Sequence, residues 1–249
     1  MRRFGRRDWA LVGLIALFGM FGFSALMLYG MRMVAGVVGA IVMSTAPAVT
    51  AAASMLFMGD RPTWRKLSAI ALAVAGVLIL HLGRLDGSDG RESDASEEDR
   101  LILGTALVFG AVCCEAAYTL LGKVASARAD PNLVAFLAVA LALPLFLPLA
   151  IWQWQDFAIG EMDRRAWLAV VWWGAGTLAL GSWLWYSGLA KAEGAIAAGF
   201  MGVMPASALI LSYVLLGEAF RWIHLAGFAT VFAGVLLISW EHARMSGEM

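Results

Sequence analysis

The sequence predicts an all-α fold, a polytopic membrane helix bundle of eight transmembrane helices arranged as an inverted-topology repeat. Three observations carry that expectation. Apolar residues make up 61% of the 249 positions and charged residues only 14%, against roughly 45–50% and 25% in a soluble domain. Apolar runs recur at spanning length. One pattern of three such runs occurs twice, 158 residues apart. A run of about 20 apolar residues crosses a hydrocarbon core of about 30 Å as a helix, which satisfies its own backbone, whereas barrel strands would alternate.

Taken in order, α1 is expected over 8–30, behind the basic start MRRFGRRDW. Its apolar run exceeds the roughly 7–15 residues of a signal-peptide core and no cleavage site follows, so it reads as a retained span. Further spans are expected over 33–58 (α2), 65–82 (α3), 101–122 (α4), 132–152 (α5), 165–188 (α6), 194–217 (α7) and 222–240 (α8). Between α3 and α4 lies GRLDGSDGRESDASEEDR, residues 83–100, with seven acids and three arginines. Such a stretch lacks the apolar surface to fold and reads as a solvated outer linker. It separates a first unit, 1–82, from a second, 101–249.

Orientation follows from Lys and Arg, which are held on the cytoplasmic side of short loops. With the N-terminus inside, inner segments carry eleven basic residues, including Arg2, Arg3, Arg6, Arg7, Arg61, Arg65 and Lys66, and outer segments seven. Both termini are therefore expected in the cytoplasm, the host membrane being a bacterial cytoplasmic (inner) membrane.

The repeat is legible in TAPAVTAAASMLFMGDRPTW, residues 45–64, and VMPASALILSYVLLGEAFRW, residues 203–222. Pro47 matches Pro205, Gly59 matches Gly217, Asp60 matches Glu218 and Trp64 matches Trp222; Ser24/Ser182, Gly36/Gly194 and Gly76/Gly234 extend the match. Thus α1–α3 recur as α6–α8. Five spans separate α1 from α6, an odd number, so the second copy enters the membrane from the opposite side, as in carriers whose substrate site lies near the midplane. The counterparts of α4 and α5 would fall before Met1, which makes this a three-plus-five arrangement of an expected five-plus-five. A truncated or misassigned reading frame is expected over a true eight-helix variant.

These motifs, a proline opening an apolar helix, then Gly-acid, then Gly-Val-Leu as in MPASALILSYVLLGEAFRWIHLAGFATVFAGVLL, resemble the drug/metabolite transporter superfamily and its EamA-type repeats. The resemblance covers essentially the whole chain. It implies a ten-helix fold of two five-helix inverted repeats, and transport of small metabolites, often outward. The expected function is secondary-active transport by alternating access, with a truncated, non-transporting membrane interaction protein as the alternative.

Candidate residues follow from depth and type. Glu115 lies about two-thirds of the way across α4, where an acid costs at least roughly 2.5–3.5 kcal/mol and usually faces a cavity or partner. It would take up a coupling proton or bind a cationic group, or else pair with Lys123 at the inner edge. Tyr118 follows one turn on. In α6, Ser182, Trp185 and Tyr186 offer hydroxyl and aromatic groups for a pocket or for packing. Met43 and Met201, matched one turn before the prolines, are candidates for an adaptable cavity wall, core filling being the alternative. Pro47 and Pro205 remove a backbone donor and read as hinges or packing kinks. Gly59 and Gly217 suit helix C-termini, and Asp60 and Glu218 then stand before the next helix, whose dipole favours an anion. Pro62 is expected near the first turn of α3.

Small residues four apart, Gly36 and Ala40 in α2 and Ala195/Gly199 in α7, are expected to pack helices closely, with a homodimer interface the lesser use. Cys113 and Cys114 show no metal-site spacing and read as packing residues; His81, His224 and His242 receive no role. No Walker sequence occurs, no nucleophile or metal cluster accompanies Glu115, and no enzyme activity, cofactor or metal is expected. The expected partners are the lipid bilayer and a small-molecule substrate, not nucleic acid.

Overall fold

The computed structural model describes residues 5–85, 95–126, 129–154, 160, 162–181, 184 and 203–247. Among these the chain is helical: α1 Arg6–Met31, α2 Gly36–Phe57, α3 Trp64–Leu85, α4 Ala95–Ser126, α5 Pro131–Gln153, α6 from Arg164 to Gly181, α7 Val203–Leu216 and α8 Trp222–Gly247. Five are long and apolar enough to cross a membrane within the described residues: Arg6–Met31, Gly36–Phe57, Glu98–Ala125, Leu133–Gln153 and Trp222–Trp240. Many large apolar side chains face outward, such as Leu56, Phe57, Phe136, Trp172 and Leu215. That is what a hydrocarbon solvent permits and water does not.

The acidic connector is shorter than expected. α3 runs on through Leu85 and α4 begins at Ala95. Residues 86–94 lie outside the described part.

Two internal irregularities shape the helices. α2 breaks after Met43, resuming at Ala46 with Pro47 in its first turn. Pro47 cannot donate to the Met43 carbonyl, and the buried hydroxyls of Ser44 and Thr45 turn back to the carbonyls of Ile41 (2.6 Å) and Val42 (2.7 Å). In α1, residues Ala16–Gly22 form a π-helical stretch, and in α6 Trp172–Gly181 do the same.

Packing is organised by glycine. On α1 and α4, an added Cβ at Gly30 would stand 3.0 Å from the Gly104 carbonyl, and one at Gly104 3.2 Å from that of Gly30. On α3 and α8, Gly76 and Gly227 are related in the same reciprocal way, at 2.8 and 3.0 Å, and Gly234 meets Ala69. Backbones this close gain dispersion over their whole contact, the main source of helix association in lipid. Both pairs run antiparallel, since residue numbers rise on one helix as they fall on its neighbour.

A core cluster joins Val37, Val38, Ile41 and Val42 of α2, Val108 and Val112 of α4, Leu209 of α7 and Phe228 and Val231 of α8. A smaller one joins Val12 and Ile15 of α1, Ala125 of α4 and Val134 and Ala138 of α5. Phe21 of α1 meets Phe146 of α5 edge-on, ring centroids 5.1 Å apart, and Gln153 donates to the Tyr29 hydroxyl (2.8 Å). α1 thus lies between α4 and α5.

Candidate functional site

Glu115 stands seven residues beyond Val108, about two turns, so it projects on nearly the same face. Val108 and Val112 are fully buried in the larger core cluster. The stripe therefore carries the acid toward the packed interior. Its Oε2 is buried and has no hydrogen-bond partner among the described residues. Its backbone carbonyl accepts from Thr119 Oγ1 at 3.0 Å. Among the described residues Glu115 forms no ion pair with Lys123; the pair that does occur joins Lys66 and Asp60 at 3.7 Å. A buried carboxylate oxygen left without a partner is costly and rarely retained without a use.

The wall beside it is the π-helical stretch of α1. A Cβ at Gly22 would stand 3.3 Å from Cys114 Sγ, and Gly19 lies directly under the Tyr118 ring. Such stretches recur at functional sites. Tyr118 retains 39% exposure. Met43 is partly buried against the main core cluster. Pro47 lies at the α2 break, and Pro205 is the third residue of α7. Ser182, Trp185, Tyr186 and Met201 lie outside the described residues, as do Gly194, Ala195 and Gly199. Among the described residues no group of His, Cys, Asp and Glu could hold a metal ion.

At the helix turns the two matched acids have different described partners. Gly59 and Gly217 adopt φ of 72° and 64°, the left-handed C-terminal position glycine favours. Glu218 reaches the start of α2, accepting from the Gly36 N–H at 2.5 Å and the Val37 N–H at 2.9 Å. Asp60 accepts from Ser54 Oγ at 2.6 Å. That hydroxyl, then Lys66, holds the Asp60 carboxyl below its ordinary value of 3.8. The Thr63 hydroxyl accepts from the Lys66 N–H at 3.3 Å at the start of α3, and Pro62 stands two residues before that helix.

Sequence reasoning assigned His224 nothing. Its ring lies against Tyr213, Nδ1 3.1 Å from the hydroxyl, and Tyr213 also packs on Phe220, which meets Trp222 edge-on. These aromatics brace the turn that carries Glu218. Arg65 stacks on Trp240 of α8 (4.8 Å) and on Trp64 (5.5 Å), a cation–π tie that only the fold reveals.

Apolar helices of spanning length, closely packed through glycine, define a polytopic membrane protein. The chain belongs to the EamA-like transporter family, which it matches over residues 1–82 and 102–240. It is similar to "Uncharacterized transporter YetK" of Bacillus subtilis, 29% identical over 88% of this chain, and it spans 64% of that protein's length. It is also similar to "Probable terminal-alkyne amino-acid exporter" of Streptantibioticus cattleyicolor, 25% identical over 96% of this chain and 76% of the relative, and to "Uncharacterized transporter" of Archaeoglobus fulgidus, 26% identical over 95% and 80%. No solved structure matches.

Proposed function

We propose that this chain is a secondary-active carrier of small metabolites or drug-like solutes, working outward across a bacterial cytoplasmic membrane by alternating access. Two inverted halves would rock about a site near the midplane, with both termini in the cytoplasm. The observation that carries the reading is the buried, unpartnered Glu115 oxygen inside a span of a transporter-family protein. An acid so placed can exchange a proton or a cationic solute with a pathway, and Tyr118 beside it supplies an aromatic face. Ser182, Trp185, Tyr186, Met43 and Met201 are proposed to line the same pathway, with Pro47 and Pro205 as hinges.

Three features support the inverted repeat. The π-helical stretch Ala16–Gly22, shifted by 158, falls within Trp172–Gly181. The contact of Gly76 with Gly227 maps onto that of Gly234 with Ala69 under the same shift, with the two helices exchanged. Asp60 and Glu218 each send their own N–H back to the matched Ser54 and Ser212 carbonyls, at 3.5 and 3.4 Å. The similarity to a named amino-acid exporter favours amino-acid-like solutes and the outward direction.

The test uses the chain in proteoliposomes with an internal pH-sensitive dye. A panel of amino acids and amines is added under a pH gradient, and solute-driven proton movement is recorded. Glu115→Gln is expected to reduce the coupled signal about tenfold or more, the scale on which one essential protonation matters, with an unchanged melting temperature. Unaltered coupled flux in that variant overturns the role of Glu115.

A further inference from the structure

We propose that Glu218 is a positioning residue that holds one end of the bundle shut by capping a helix of the opposite repeat, and that this cap biases which side of the membrane the pathway faces. The proposal rests on the carrier reading above.

An ordinary N-cap comes from the residue just before the helix. Here that residue is Ala35, which has no acceptor to offer. The first N–H groups of α2 would be orphans, yet those of Gly36 and Val37 both donate to the Glu218 carboxylate. Glu218 follows Gly36 by 182 residues and belongs to the other repeat. Glycine allows a close approach here: a Cβ at 36 would stand 2.9 Å from Glu218 Oε1 and 3.0 Å from Ser212 Oγ. The turn behind the carboxylate is braced by Tyr213, Phe220 and His224, so the acid is presented by a stiff support.

The acid matched to Glu218 is Asp60. Asp60 lies past the other end of α2, about 33 Å away along 22 residues of helix. Its described hydrogen-bond and ion-pair partners, Ser54 and Lys66, are in its own repeat. Among the described residues Glu218 is hydrogen-bonded across the repeats, whereas Gly194, the counterpart of Gly36, lies outside them. A cap that must release before its end of the bundle can open shifts the balance of access states toward those closed at that end. The interaction also has the right strength: one helix cap shifts an equilibrium by a factor of about five to thirty, enough to bias a two-state element and weak enough to release.

The test reads access rather than flux. In proteoliposomes, with Cys113→Ala and Cys114→Ala as background, Ile41→Cys reports the α2 interior just beyond the cap. Val12→Cys, in the separate α1–α5 cluster, reports general loosening; both parent side chains are fully buried. A membrane-impermeant maleimide is applied from the Arg221 side. Glu218→Ala is expected to speed labelling of Ile41→Cys by about fivefold or more, with Val12→Cys still protected. Glu218→Gln, which keeps one acceptor, is expected to fall between, and it decides the matter if the alanine variant does not insert. Unchanged labelling of Ile41→Cys, or a rise matched by Val12→Cys, overturns the proposal. A chain that moves no solute but shows the selective response keeps the closure and loses the carrier reading; the converse keeps the carrier and loses the closure.

Discussion

Gly217 turns the chain with φ of 64° and has nothing within 4 Å of where a Cβ would stand. Replacing it therefore tests backbone conformation without steric conflict. Gly217→Ala is expected to lower stability by about 1 kcal/mol, seen as a drop in melting temperature in detergent. Gly217→Asn, a residue that tolerates this region, should recover part of the loss. Asp60 offers a second measurement. Its carboxyl titrates below 3.8 because the Ser54 hydroxyl, first, and Lys66 favour the charged form. A depressed folded value means the contribution is present above 3.8 and is lost as pH falls through the folded value. Ser54→Ala is expected to raise the Asp60 midpoint toward 3.8 in a carboxyl carbon NMR titration; an unmoved midpoint would remove the serine from the account.

Helices were the most legible elements, because a run that must bury its backbone in lipid announces itself by length and composition alone. Pro47 pointed to the break in α2 by its missing donor, although the hydroxyl back-bonds of Ser44 and Thr45 that complete it were not read. The π-helical stretch of α1 was illegible: Gly19 and Gly22 accommodate Tyr118 and Cys114 of another helix, and nothing local specifies that pairing. For the same reason Glu218 read as an acid at its own turn, whereas its partners lie 182 and 181 residues earlier. The Gly76–Gly227 contact of α3 with α8 was likewise hidden, though Gly76 was visible as a repeated glycine. There a larger side chain has no room, the Gly227 carbonyl being 2.8 Å from a Cβ at 76. Gly76→Leu is expected to destabilise by about 1–3 kcal/mol through overpacking, measured by thermal denaturation. Gly122→Leu on α4, where nothing lies within 4 Å, should leave the melting temperature nearly unchanged.

At the scale of the molecule, Glu115 was found from sequence by depth alone, since an acid inside an apolar run is conspicuous wherever the helix later packs. That its Oε2 has no hydrogen-bond partner among the described residues became visible only with the fold, pairing with Lys123 eight residues on being the alternative in the sequence. What unites residue, helix and bundle is the sense in which each copy of the repeat enters the membrane. If α1–α3 and α6–α8 are antiparallel copies, the matched turns at Asp60 and Glu218 lie on opposite faces, and the cap on α2 acts at one face only. Gly36 and Asp60 bound the same apolar helix of 22 residues, so the Gly36–Glu218 contact already sets Glu218 at the end of that helix remote from Asp60. Arg61 and Arg221 flank the two acids and carry the topology outward to where a reagent can reach it; both are exposed. In sealed right-side-out vesicles, with Cys113 and Cys114 replaced by alanine, Arg221→Cys should react with an impermeant maleimide added outside. Arg61→Cys should react only after the membrane is permeabilised. Reaction of both from the same side would place the turns in one compartment, which no antiparallel repeat allows, and the alternating-access reading would fall with it.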